Sequence, residues 1–219
     1  MKPEATPWRA LLAAAIGLGV SPREVSHRWN RHFTALCGAS HGAQFRTQRE
    51  IESASLAAVA RECDARIDVE ALTAEMFAFW AAPTPLHGAA EFLRDCRLPV
   101  CVVSNIDAAD VHAAIAGLGW EFEHVVTSEG CRAYKPRPEM FHSALELLGC
   151  DASEVLHVGD SVGSDLSGAG RLGIDVAWEV EHHFLEEYAH SSAPEVFLAA
   201  CSQRTKNIRL GHGIVLMPP

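Results

Sequence analysis

The sequence predicts an α/β fold, a doubly wound parallel sheet preceded by a block built of helices alone. Three observations carry this. From Trp8 to Trp80 apolar residues recur at three- and four-residue spacing, and no stretch reads as a strand. From Leu98 onward short, β-branched apolar runs alternate with helix-like segments, as in βαβ units with right-handed crossovers. These runs end in polar residues, as buried parallel strands do on reaching the edge of a sheet where chemistry gathers.

In the helical block, "PWRALLAAAIGLGV" and "SPREVSHRWNRHFTALC" come first, with Ser21 as an N-cap and Pro22 at the first helical position. "TQREIESASLAAVARECD" and "DVEALTAEMFAFWA" continue the period. Prolines and Gly88 then break the run. "LPVCVVSNID" reads as a buried strand, "AADVHAAIAGLGW" as a helix, "HVVTSEG" as a strand and "PEMFHSALELLG" as a helix opened by Pro138. "VLHVGDS", "DLSGAGRLG" and "DVAWEV" complete the alternation as strand, helix and strand.

At 219 residues the chain has room for one sizeable core, or for a core domain with a smaller companion. Hydrophobic residues at 48% and charged residues at 21% fit a globular protein. The net charge of -10 repels a phosphate backbone over most of the surface, which argues against nucleic acid as a partner. Seven scattered cysteines without a Cys-x-x-Cys pair suggest reduced thiols in a cytoplasmic protein, not a disulfide framework or zinc site. Near the start, Lys2 and Arg9 precede "ALLAAAIGLGV", but Glu4 interrupts the basic region and no small-residue cleavage site follows; a core-facing helix is the better reading. No other run approaches the ~20 apolar residues that span a bilayer, so a soluble protein without a membrane partner is expected. Oligomeric state leaves no signal.

Three strand ends carry candidate chemistry. Ser104 and Asn105 in "VVSNID" offer a hydroxyl, an amide and backbone N–H groups as an anion cradle, although such a pair also makes an ordinary turn. Lys135 in "YKPRPEMF" sits in a loop stiffened by Pro136 and Pro138; taken singly it reads as a solvated lysine. Asp160 and Asp165 in "GDSVGSD" are paired carboxylates at a strand tip, which repel each other unless a cation lies between them, and oxygen ligands suit Mg²⁺. The alternative is a helix cap at Asp160 and an exposed first-turn residue at Asp165.

In this order, the motifs resemble the haloacid dehalogenase-like (HAD) hydrolase superfamily, over about residues 8–178. The resemblance implies a Rossmannoid core over 83–178 and a helical cap over 1–82, with 179–219 as a C-terminal extension. It makes Ser104, with Asn105 beside it, the phosphate cradle, and Lys135 a catalytic lysine steadying the charge on nucleophile and phosphoryl group. It makes Asp160 a Mg²⁺ ligand, with Asp165 supporting the metal site and the lysine. The acidic fourth motif resembles the Mg²⁺-dependent phosphatase branch, and the metal-free 2-haloacid dehalogenases match less well. The expected partner is a small phosphorylated metabolite.

The family's first motif, a strand ending in Asp-x-Asp with the nucleophile, would lie upstream of the cap. Here the first aspartate is Asp64, inside the helical block. The expectation is therefore a sheet without its central strand, between the strands ending at Ser104 and Gly159. A start further upstream, a degraded relative that only binds phosphate and metal, or another segment in the gap would each account for it. The tail from Trp178 resembles an early part of luciferase-like flavin monooxygenases, which points to His182 or His183 near a flavin; a polar loop is the plainer reading. A join of two gene fragments is expected near "LGIDVAWEVEHH". The tail strand "IRLGHGIVLM" is expected to fill the central position or to pair at the sheet's edge.

Overall fold

The computed structural model describes residues 19–85, 88–159, 161–174, 176–180 and 209–214. The first expected helix up to Leu18, Asp160, and the pair His182 and His183 lie outside the described residues. The chain divides into two compact units, residues 1–132 and 133–219.

In the first unit, α1 (Pro22–Ala39) begins as the sequence expects: Ser21 Oγ accepts the Glu24 N–H and proline occupies the first turn. Helix α2 (Gln48–Glu62) is opened by a capping box between Thr47 and Glu50, and α3 (Val69–Trp80) by Asp68, whose carboxylate accepts the Ala71 N–H. The helices pack through Val25 and Trp29 of α1, Leu56 and Val59 of α2, and Leu72 and Met76 of α3, all buried. At about 1.5–3 kcal/mol for each fully buried large apolar side chain, this cluster is the main stabilising term of the block. A short helix absent from the sequence reading, α4 (Ala89–Asp95), follows Gly88, whose φ of 84° suits glycine. Strand β1 (Cys101–Ser104) then pairs in parallel with β2 (His124–Thr127) across α5 (Ala108–Leu118), Ser104 lying opposite Thr127. A single turn of helix, α6 (Ser128–Cys131), closes the unit.

The second unit holds α7 (Pro138–Leu148), β3 (Leu156–Val158), a π-helical turn (Val162–Leu166), α8 (Ser167–Arg171), β4 (Val176–Val180) and β5 (Arg209–Ile214). Its three strands are parallel in the order β3–β4–β5. Phe141, Ala169 and Ile174 form its buried apolar cluster.

The expected doubly wound α/β architecture is present, with the described strands divided between two parallel sheets. The tail strand takes the second of its two expected places. β5 pairs with β4 at the edge of the second sheet, where the ladder of β4 N–H and C=O groups is completed.

Candidate functional site

In the second unit the site is built around Asp165. Asp165 lies within the π-helical turn, where both its own N–H and that of Leu166 donate to the Ser161 carbonyl, the second across five residues. This wide turn swings the carboxylate back toward β3. Gly159 makes room for it: a Cβ there would lie 2.6 Å from Asp165 Cβ and 2.7 Å from its Oδ2.

Lys135 reaches the same carboxylate from the loop before α7. Ala133 and Tyr134, both buried, anchor that loop, and the Arg137 N–H donates to the Tyr134 carbonyl. The Lys135–Pro136 peptide is cis. Lys135 Nζ donates to Asp165 Oδ1 at 2.6 Å, and the two side chains are only 10% and 7% exposed. His157 of β3 completes the cluster, its Nε2 lying 3.1 Å from the same Oδ1, while its ring meets Phe141 edge-on at 5.3 Å. Asp165 Oδ2 accepts the Ser161 N–H at 3.1 Å.

These partners set the electrostatics. Burial by itself pushes the Asp165 carboxyl up; the His157 hydrogen bond and the charge and hydrogen bond of Lys135 outweigh it and hold the group at about 2. Asp165 is therefore an anion, and it fixes an ammonium group that has little freedom to turn away. His157 escaped the sequence reading because it interrupts an apolar run by one residue. Its signal was strand alternation: Leu156 and Val158 are exposed on one face, so His157 and Gly159 share the other.

In the first unit, Ser104 is the last residue of β1, and Asn105 begins the turn that follows, where the Ile106 N–H donates to the Ser104 carbonyl. Ser128 Oγ donates to the Ile106 carbonyl at 3.0 Å, and Glu129 accepts the Ala108 N–H at 2.8 Å, which ties this loop to α6.

The metal expectation meets a specific donor set. Asp165 Oδ1 already accepts from two nitrogens and Oδ2 from one, which leaves a single acceptor site on Oδ2. No group of three or more His, Cys, Asp or Glu side chains that could hold a metal occurs among the described residues. Asp165 thus fits support of a metal site better than coordination of a metal by itself.

Comparison with known proteins supports the family resemblance. The sequence profile described as haloacid dehalogenase-like hydrolase matches residues 7–173. A second profile, luciferase-like monooxygenase, matches residues 167–219. Haloacid dehalogenase-like hydrolase domain-containing protein 3 of Bos taurus is 39% identical over 94 residues, 41% of this chain and 37% of that protein. Glyceraldehyde 3-phosphate phosphatase of Pyrococcus abyssi is 42% identical over 57 residues, 26% of this chain and 24% of its own length. The chain thus spans less than half the length of these curated relatives. The solved L-2-haloacid dehalogenase from Xanthobacter autotrophicus superposes with a TM-score of 0.62 at 22% identity, over 81% of this chain and 74% of the other, which shows a shared fold. With more than half its length matched by the first profile, this chain belongs to the haloacid dehalogenase-like hydrolase family.

Proposed function

We propose that this protein is a phosphatase of that family, acting on a small phosphorylated metabolite. The observation that carries the reading is the buried Lys135–Asp165 pair braced by His157. A lysine held this firmly presents its charge to an anion without losing side-chain entropy on binding. Phosphatase names among the similar proteins, which also include a haloacetate dehalogenase, support a phosphate ester as the substrate.

In this reading Ser104 and Asn105 donate to the phosphate oxygens, and Lys135 balances charge that builds on the phosphoryl group. Asp165 holds the Lys135 ammonium in place, and His157 braces Asp165. Mg²⁺, held through Asp160 with support from Asp165, would supply further neutralisation of phosphate charge. The second reading is a module that binds phosphate through the same cradle without turning it over.

Turnover of p-nitrophenyl phosphate with and without Mg²⁺, repeated on Lys135→Ala and Asp160→Asn, separates the two. A Mg²⁺-dependent rate that falls about 10²-fold or more in each variant supports the phosphatase. Phosphate binding without turnover selects the binding module, and turnover indifferent to both substitutions overturns the site.

A further inference from the structure

Every N–H in the first turn of α2 has a partner, and two of the partners come from another part of the chain. The capping box uses the N–H groups of Thr47 and Glu50, through Glu50 Oε2 and Thr47 Oγ1. The two N–H groups between them, of Gln48 and Arg49, donate to Asp107 Oδ1 at 2.7 Å and Oδ2 at 3.1 Å. Asp107 is 59 residues from Gln48, is 5% exposed, and stands three residues beyond Ser104. A carboxylate buried this deeply needs compensation, and two aligned donors at the positive end of α2 provide part of it, burial still pushing the Asp107 carboxyl up.

A second clamp lies one turn further along α5. The Arg49 guanidinium is bidentate on the buried Asp110, with Nε to Oδ2 at 3.0 Å and the other contact between Nη2 and Oδ1. The face of the same guanidinium covers the Phe77 ring of α3 at 4.1 Å. One residue of α2 therefore joins the helical block to the start of α5 at two points, its backbone N–H and its guanidinium edge, while its guanidinium face packs on α3 within the block. The loop from Ser104 to Asp107 is held on one side by Ser128 and Glu129 and on the other by the start of α2.

We propose that Asp107 is a positioning residue, which with the Arg49–Asp110 clamp locks the Ser104–Asn105 loop to the helical block so that the shape of the anion cradle depends on the seating of α2. The inference rests, for its ligand, on the reading of Ser104 and Asn105 as a phosphate cradle. Its structural content stands apart from that reading. Asp107 touches no ligand and acts through the loop it holds.

Amide hydrogen exchange and inorganic phosphate titration of the full chain test it, on wild type, Asp107→Ala, Asp107→Asn and Arg49→Lys. In Asp107→Ala, exchange at Gln48, Arg49 and Ile106–Val111 should accelerate about 10-fold or more, while amides in the middle of α1 and α3 keep their protection. Phosphate affinity should fall by a similar factor, and Asp107→Asn, which keeps one acceptor oxygen, should recover part of both. Should Asp107→Ala fail to fold, Arg49→Lys, which keeps the charge and loses the fork, serves in its place, with faster exchange confined to α5 and the loop. Unchanged exchange at Gln48, Arg49 and the loop in the folded variants overturns the lock. A wild-type chain that binds no phosphate but shows the local exchange response overturns the cradle reading alone and supports the lock. A loss of protection spread evenly over the whole unit makes Asp107 a general stabiliser and overturns the proposal.

Discussion

His157 Nε2 lies 3.1 Å from the Asp165 oxygen that also receives the Lys135 ammonium, so one carboxylate oxygen organises two basic side chains. This makes the ionisation of Asp165 sensitive to His157 in a way that can be measured. The folded carboxyl sits at about 2 against 3.8 for a free aspartate. A depressed carboxyl contributes stability that is present above pH 3.8 and is lost as the pH falls through about 2. Taken at face value the shift corresponds to about 2 kcal/mol. His157→Ala should raise the Asp165 pKa, read by carbon NMR of the carboxyl, and move the acid-unfolding midpoint upward; His157→Asn should restore part of the difference. An unchanged carboxyl titration in His157→Ala would show that Lys135 alone sets it.

Gly159→Ala should damage the same cluster without touching a charge. The added methyl would collide with the Asp165 side chain, at 2.6 Å from Cβ and 2.7 Å from Oδ2. The carboxylate must move away from Lys135 or the strand must shift. We expect a loss of about 1–3 kcal/mol in denaturant unfolding. A variant as stable as wild type, with the Asp165 titration unchanged, would show that the turn yields freely.

Gly168→Ala tests the support beneath the site. A Cβ on Gly168 would lie 2.6 Å from Phe141 Cζ and 3.3 Å from Pro136 Cα. Phe141 packs against His157, and Pro136 follows Lys135, so the strain falls on both neighbours of the ion pair. A destabilisation of about 1–3 kcal/mol is expected, with altered His157 ring shifts by NMR. Truncating the ring in the double variant Gly168→Ala/Phe141→Leu should relieve part of it.

Glu52 supplies a pH dependence of the opposite sign in the helical block. It is 1% exposed, its Oε2 accepts the Trp29 Nε1–H at 3.0 Å, and its Oε1 has no protein partner. Burial pushes its carboxyl up to about 8, against the hydrogen bonds from Trp29 and Ser55. The folded state then holds more protons than the unfolded one between 4.5 and about 8, so stability is full below 4.5 and is lost as the pH rises through that window. The loss has an upper bound on the order of 5 kcal/mol. Glu52→Gln should flatten the dependence and leave the protein more stable than wild type above about pH 8, by thermal unfolding across pH. Parallel curves for the two proteins would place the Glu52 titration elsewhere.

The sequence carried the layered plan because its signals are local. "CVVS", "HVVT" and "LHV" are strands, Ser21 and Pro22 start α1, and Pro138 starts α7. Lys135 and Asp165, 30 residues apart, do meet, which residue type and motif order alone suggested. His157 was hidden because a single polar residue in a three-residue strand has no periodicity of its own. The grip of Asp107 on α2 was not legible at all, since its donors are backbone N–H groups and any residue pair could have supplied them. Nor could composition say which edge β5 would choose; pairing depends on which ladder is left open.

The pairing of β5 also bears on where the chain can be cut. The hydrolase profile ends at residue 173, yet β3 finds its ladder partner in Val176–Val180, and that strand is flanked in turn by Arg209–Ile214. Trimming to the matched region would strip β3 of its described ladder partner and bare a short strand whose Leu156 and Val158 already face solvent. Such a fragment would offer an adhesive edge to other copies of itself and would be expected to precipitate. The foreign-looking tail is, in mechanical terms, the hem that keeps this sheet from fraying.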